Sequence, residues 1–276
     1  MLAIPLITLQ AVVEVAIGGF LALFITDLTR LVTRGFLAST GGVLLLIGVL
    51  GVAGEFAIPD PTHFTEHALN RGWLTPSLRL TAAFMVLFLV YLVTVYLRPP
   101  ILHVVVGFLA SAVGLSAIVT TAFAFQTPGL GKYGTMASFI LSAVTIGTVT
   151  TAMLLGHWYL VVPNLSTRPL LALLVLLAMG FLLQAALDAF AVSTLTGHAG
   201  VISRAEVLTG RFAAVFWIGR LAVGIGLPLL ITGLAVQSTR TRSLMSATGL
   251  LYVAVVLTLV GQVTGKVIFF SGNLPL

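Results

Sequence analysis

Apolar residues run along this chain in long blocks, not in the alternation of a half-buried strand or the one-sided stripe of a surface helix. Eight blocks cover residues 2–26, 36–58, 76–97, 101–125, 133–162, 169–194, 207–236 and 243–270. A hydrocarbon layer about 30 Å thick is crossed by about 20 helical residues, so each block is long enough. The breaks include Pro59-Asp60-Pro61, Arg98-Pro99-Pro100, Pro128-Gly129, Pro163-Asn164 and Arg168-Pro169. All are poor helix interiors and good turns. The pattern predicts an all-α polytopic membrane protein with eight transmembrane helices, forming a single integral membrane domain over 1–276. The eight helices could divide into two four-helix bundles. The opening MLAIPLITLQ has no basic n-region and no small-residue cleavage site nearby, so the first block reads as a retained helix.

Composition narrows the function. Of 276 residues, 59% are hydrophobic and 7% charged, against roughly 25% charged in a soluble domain. A surface so poor in charge faces lipid, which excludes a soluble enzyme and a disordered chain. The net charge of +6 comes from 13 Lys+Arg against 7 Asp+Glu. The cations are scattered singly, so no cluster grips phosphates and no nucleic-acid partner is implied. Cysteine is absent, which removes disulfides, thiolate metal sites and iron–sulfur ligation. Electron handling would require histidine-ligated haem or a bound organic carrier. Arg30, Arg34, Arg98, Arg168, Arg240 and Arg242 fall in one set of loops. The positive-inside rule puts that set in the cytoplasm and both termini outside, in a bacterial or archaeal cytoplasmic membrane.

An ionisable side chain at membrane depth costs about 2.5–3.5 kcal/mol on insertion scales. Each one is therefore a candidate for function: Glu14, Glu55, Arg79, Asp188, Arg220 and Lys266, with the polar Gln184 and Gln262. Most lie toward the outer face and both signs are present, so they could neutralise one another around a polar pocket. They could equally be structural pairs, Asp188 with Arg220 or Lys266, and Glu55 with Arg79. His103 and His157 lie at similar depth on different helices and could hold a b-type haem or relay protons. Alternatively, His157 belongs to an interfacial aromatic belt with Trp158 and Tyr159, and His103 is a packing residue. In the loop after the second block, His63 and His67 are spaced i, i+4, but a partner-docking loop with Arg71 and Trp73 is the simpler reading than a metal site. No metal-binding motif, phosphate loop or nucleophile elbow is present.

Three stretches together resemble the membrane anchors of molybdopterin oxidoreductases, of the dimethyl-sulfoxide reductase and NrfD/polysulfide-reductase types. Glu14 precedes Gly18-Gly19-Phe20. The outer loop reads His67-Ala68-Leu69-Asn70-Arg71-Gly72 and then Pro76-Ser77-Leu78. The last block holds Gly261-Gln262, Gly265-Lys266 and Phe269-Phe270, with Arg220 in the penultimate block. Two positions depart from the pattern. Phe56-Ala57-Ile58-Pro59-Asp60-Pro61 stands where the family has a histidine–glycine–proline motif, and Gln262 and Lys266 stand where it has Glu and Arg.

The resemblance implies an anchor subunit that is not catalytic alone. It would bind quinone (menaquinone or ubiquinone) near the extracytoplasmic face. It would exchange electrons with an iron–sulfur or cytochrome subunit, beside a catalytic subunit on that side. Glu55 would then accept protons, with Arg79 or Lys266 as electrostatic partner and Glu14 and Asp188 as relay or pairing groups. A di-histidine cytochrome, a proton- or ion-coupled transporter broken at Gly224-Ile225-Gly226-Leu227-Pro228, and a purely structural membrane subunit are the alternatives.

Overall fold

The computed structural model describes residues 4–57, 70–97, 100–125, 131–195, 203–272 and 274. The described residues form α1 (Ile4–Leu28), α2 (Arg34–Ala57), α3 (Arg71–Leu97), α4 (Pro100–Ala124), α5 (Gly131–Val161) and α6 (Arg168–Ser193). A short α7 (Arg204–Leu208), a π-helix (Val215–Gly226), α8 (Leu227–Arg240) and α9 (Leu244–Gly272) follow. Eight segments are long and apolar enough to cross a membrane, with the π-helix and α8 forming the seventh. The chain is an all-α integral membrane protein. With eight crossings, α1 begins and α9 ends on the same face, called here the terminal face.

α1 and α5 are the centre of the molecule. Each is 72% buried over its most apolar stretch, against 33–39% for the other six spans. α1 touches α2, α4, α5 and α9, and α5 touches α1, α4, α6 and α9. Their close approach depends on two glycines. A Cβ on Gly18 would lie 1.7 Å from the Ala143 carbonyl oxygen, and one on Gly147 would lie 2.0 Å from the Gly18 carbonyl carbon. A second tight crossing joins the π-helix to α9, where added Cβ atoms at Gly224 and Gly261 would meet the opposite backbone at 2.4 and 2.2 Å. Without a hydrophobic force between helices in lipid, small residues that let backbones touch supply much of the packing energy. Elsewhere the interior is filled by aromatics: Phe20 packs edge-on against Phe84, Phe88 and Tyr91 with centroids 4.6–5.5 Å apart.

Two elements differ from the sequence pattern. α3 starts at Arg71 instead of Pro76, so Pro76 lies inside the helix. The Asn70 carboxamide oxygen accepts from the Gly72 N–H, and the Asn70 N–H donates to the Ala124 carbonyl, which fixes the chain's entry five residues earlier. The missing N–H of Pro76 affects the carbonyl four residues back, on exposed Gly72, where water can satisfy it. The block at 207–236 is not one helix. Ser203 and Glu206 form a reciprocal capping box that starts α7, α7 ends at Leu208, and the membrane-crossing helix begins only at Val215. It continues as a π-helix until Gly226, and Pro228 stands at the start of the α-helical remainder.

Candidate functional site: a buried charge network

The network begins on α1. Gln10 and Glu14 share a face at i, i+4 spacing, and Gln10 Nε2 donates to Glu14 Oε1 at 3.1 Å. The α1–α5 contact brings Ser142, whose hydroxyl donates to Glu14 Oε2 at 2.5 Å. From α9, Lys266 Nζ donates to Glu14 Oε1 at 2.7 Å and also lies 4.8 Å from the centroid of the Phe139 ring. Glu14 is fully buried and Lys266 is 4% exposed. One helical turn before Lys266 on the same face of α9 is Gln262. Its Oε1 accepts from Arg220 Nη1 at 3.4 Å. Arg220 also grips Asp188 with two bonds, Nε to Oδ2 at 2.7 Å and Nη2 to Oδ1 at 3.2 Å, and donates to the Gly261 carbonyl at 3.3 Å. The Gly224–Gly261 crossing beside it permits that reach.

Two carboxylates and two cations from α1, α6, the π-helix and α9 thus form two buried pairs, Glu14 with Lys266 and Asp188 with Arg220, one turn of α9 apart. Burial demands this. An ion in a low-dielectric interior is tolerated only with a partner of opposite sign and hydrogen bonds on its remaining lone pairs. Arg220 can only donate, so the carboxamide oxygen of Gln262 must face it and its Nε2 must point away. That nitrogen donates to Gln184 Oε1 at 3.1 Å. Gln184 Nε2 is then left buried without an acceptor, and Thr258 Oγ1, one turn before Gln262 on α9, also lacks a partner. Two donors are thus left unsatisfied among buried side chains, an uncommon state in a packed interior.

Six of the eight charged and polar residues expected at membrane depth therefore lie in these two buried groups: Glu14, Gln184, Asp188, Arg220, Gln262 and Lys266. The expected Glu55–Arg79 pair does not form. Glu55 is half-buried near the end of α2 and Arg79 is exposed on α3; neither makes an ion pair or hydrogen bond with a described residue. Glu55 stands in the last turn of α2, where water can solvate a lone charge. His63 and His67 lie outside the described residues, as does the side chain of Arg71. Trp73 is exposed with its ring against Phe123 at 5.4 Å.

A second polar cluster occupies the opposite face. Asp27, in the last turn of α1, accepts from the Tyr91 hydroxyl at 2.8 Å and meets His103 Nε2 at 2.6 Å. His103 Nδ1 lies 2.7 Å from Thr94 Oγ1, which is also 2.6 Å from the Tyr91 carbonyl. When the single Thr94 hydrogen goes to that carbonyl, the Thr94 oxygen is left to accept from His103 Nδ1. Either way, both ring nitrogens are engaged and none is left for a metal. His157 is exposed, with its Nδ1 3.4 Å from the Tyr252 hydroxyl on α9. The two histidines therefore do not fit as axial ligands of one haem. Among the described residues no group of three or more His, Asp or Glu gathers to hold a metal ion.

Asp27 and Tyr91 were missed in the sequence because the first block was ended at residue 26, one position short of the carboxylate. Gln10 was legible, four residues before Glu14. Ser142 carried no signal, since serine in a membrane helix usually bonds its own backbone.

No protein-family model, curated protein or solved structure matches the chain.

Proposed function

We propose that the chain is the membrane anchor subunit of a multi-subunit respiratory oxidoreductase, binding quinone toward the terminal face and exchanging electrons with an iron–sulfur or cytochrome partner docked there. In this reading the terminal face is extracytoplasmic. The observation that carries it is convergence. The residues of the anchor-like motifs (Glu14 before Gly18-Gly19-Phe20, Arg220, and Gln262 with Lys266) are far apart in sequence yet lie in two buried hydrogen-bonded groups one turn of α9 apart.

Two buried donors support the quinone reading. Gln184 Nε2 and Thr258 Oγ1 are buried donors without acceptors, suited to hold carbonyl oxygens, with Arg220 and Lys266 supplying positive charge nearby. When bound, a quinone supplies two-electron, two-proton chemistry. This chain's residues hold and move the protons. Lys266 is committed to Glu14, so it acts through that pair and is not free to bind a carrier directly. Glu14 holds three donors at once and can accept a proton only as Lys266 or Ser142 turns away. Glu55, half-buried at the end of α2 and without an ion pair among the described residues, is the carboxylate placed to exchange protons with water. Arg220, locked by Asp188, keeps a fixed positive field over Gln262.

The test is isolation of the native assembly in mild detergent, with an inventory of subunits and extracted quinone, followed by quinol-linked turnover of Glu55→Gln and Lys266→Ala. Co-purifying redox subunits, bound quinone and turnover reduced at least tenfold in an intact assembly support the reading. A chain that purifies alone with no quinone overturns it. That outcome would favour the transporter reading, whose supporting observation is the π-helix carrying Arg220 and ending at Gly226 before Pro228. Such local widening recurs at functional sites.

A further inference from the structure

The turn after α1 and the turn after α8 share an unusual feature. Among the described residues, the non-glycine positions with positive φ are two arginines, Arg30 at 56° and Arg242 at 57°. Each follows the end of an odd-numbered span, so both emerge on the face opposite the termini. A helix end in this left-handed conformation normally takes glycine or asparagine, because a Cβ is strained there. An arginine at the same position in two separate turns implies that the cation is what the position requires.

Each of these arginines lines a cavity. Arg30 and Arg34 line one of about 570 Å³ at the ends of α1, α2, α3 and α4, together with Asp27, Thr94, His103 and valine and leucine side chains. Arg242 lines one of about 380 Å³ with Tyr159, Leu160 and Met245. Arg30, Arg34 and Arg242 are exposed and make no ion pair or side-chain hydrogen bond with a described residue. On the terminal face, Arg204 donates to the Val192 and Ser193 carbonyls, Arg211 faces Glu206 and Lys132 lies over Tyr133, while Arg79 on α3 has no such contact with a described residue. The carboxylate in the larger cavity, Asp27, is already engaged by His103 and Tyr91.

We propose that the α1/α2/α3/α4 cavity binds the phosphate of an anionic phospholipid, held by Arg30 and Arg34 while the glycerol and first acyl carbons lie on its apolar walls. The cavity lies where the helices end, at the level of lipid headgroups, and unpaired cations on one face are what an anionic leaflet attracts. Free phosphate shares the headgroup chemistry but makes no use of the apolar walls, so lipid is the source inferred. This site is independent of the quinone reading and stands if that reading fails.

The test uses the full chain in neutral detergent and reads the thermal midpoint during titration with phosphatidylglycerol, phosphatidylcholine or inorganic phosphate. Phosphatidylglycerol is expected to raise the midpoint saturably, and the other two are not. Arg30→Gly is the decisive variant, because glycine accepts the positive φ without strain. It is expected to be at least as stable as the parent in neutral detergent and to need about tenfold more phosphatidylglycerol for the same shift, the loss expected from one charge-assisted contact. Arg34→Gln is expected to do the same without touching a strained position. An unchanged phosphatidylglycerol response in both variants would overturn the proposal. An equal response to inorganic phosphate, or to phosphatidylcholine, would overturn the anionic lipid as occupant.

Discussion

Replacing Lys266 by methionine keeps most of the side-chain volume and removes one charge. Glu14, fully buried, would lose the ammonium at 2.7 Å. Breaking one half of a buried ion pair typically costs about 3–5 kcal/mol, because the remaining charge has neither water nor a counterion. Gln10 and Ser142 still donate to the two carboxylate oxygens, and hydrogen bonds to a charged group contribute about 1.5–3 kcal/mol each. The expected loss for Lys266→Met is therefore near the lower limit, about 3 kcal/mol. Glu14→Gln alone strands the ammonium and is expected to cost a similar amount. The double variant Glu14→Gln/Lys266→Met removes both charges, and its glutamine can still accept from Ser142. It is expected to lie within about 1.5 kcal/mol of the parent, since an uncharged replacement of a buried pair is often neutral. Reversible unfolding in mixed micelles with increasing SDS, followed by tryptophan fluorescence, measures the cycle. The coupling energy should exceed about 2 kcal/mol. If the double variant shows the sum of the two single losses, Glu14 and Lys266 do not stabilise one another and the network is not the charged core described.

The helix crossings and the opposite-face cluster give two more expectations. Gly147→Ala puts a Cβ 2.0 Å from the Gly18 backbone, and overpacking of about 1–3 kcal/mol should appear as a lower unfolding midpoint. Gly42→Ala, with nothing within 4 Å of the new atom, should be neutral or stabilising by up to about 1 kcal/mol through helix propensity; equal effects of the two substitutions would refute the close α1–α5 crossing. Asp27→Asn leaves Tyr91 and His103 without their charged acceptor and should destabilise by about 1–3 kcal/mol. An NMR spectrum of the imidazole should show a changed His103 environment, and an unaltered His103 signal would mean that the pair is not formed.

The sequence alone determined the class, the crossings and the inventory of polar residues that need an explanation. Long apolar blocks at 7% charge leave no alternative to lipid as solvent, and the Gly224–Pro228 break was visible as composition before it appeared as a π-to-α junction. Which charge meets which was not legible. Asp188 could pair with Arg220 or Lys266 on sequence grounds, and Glu55 with Arg79. The helix packing assigns Arg220 to Asp188, sends Lys266 to Glu14, 252 residues away, and leaves Glu55 and Arg79 apart. The physical reason is range. Apolarity and helix breaking act over a few neighbouring residues, and so can be read along the chain. A pairing between spans depends on rotation and depth of each helix, set by contacts such as Gly18 against Gly147 and Gly224 against Gly261. Asp27 with His103 has the same cause: a carboxylate just past an assumed helix end gained its partner only when α1, α3 and α4 closed together.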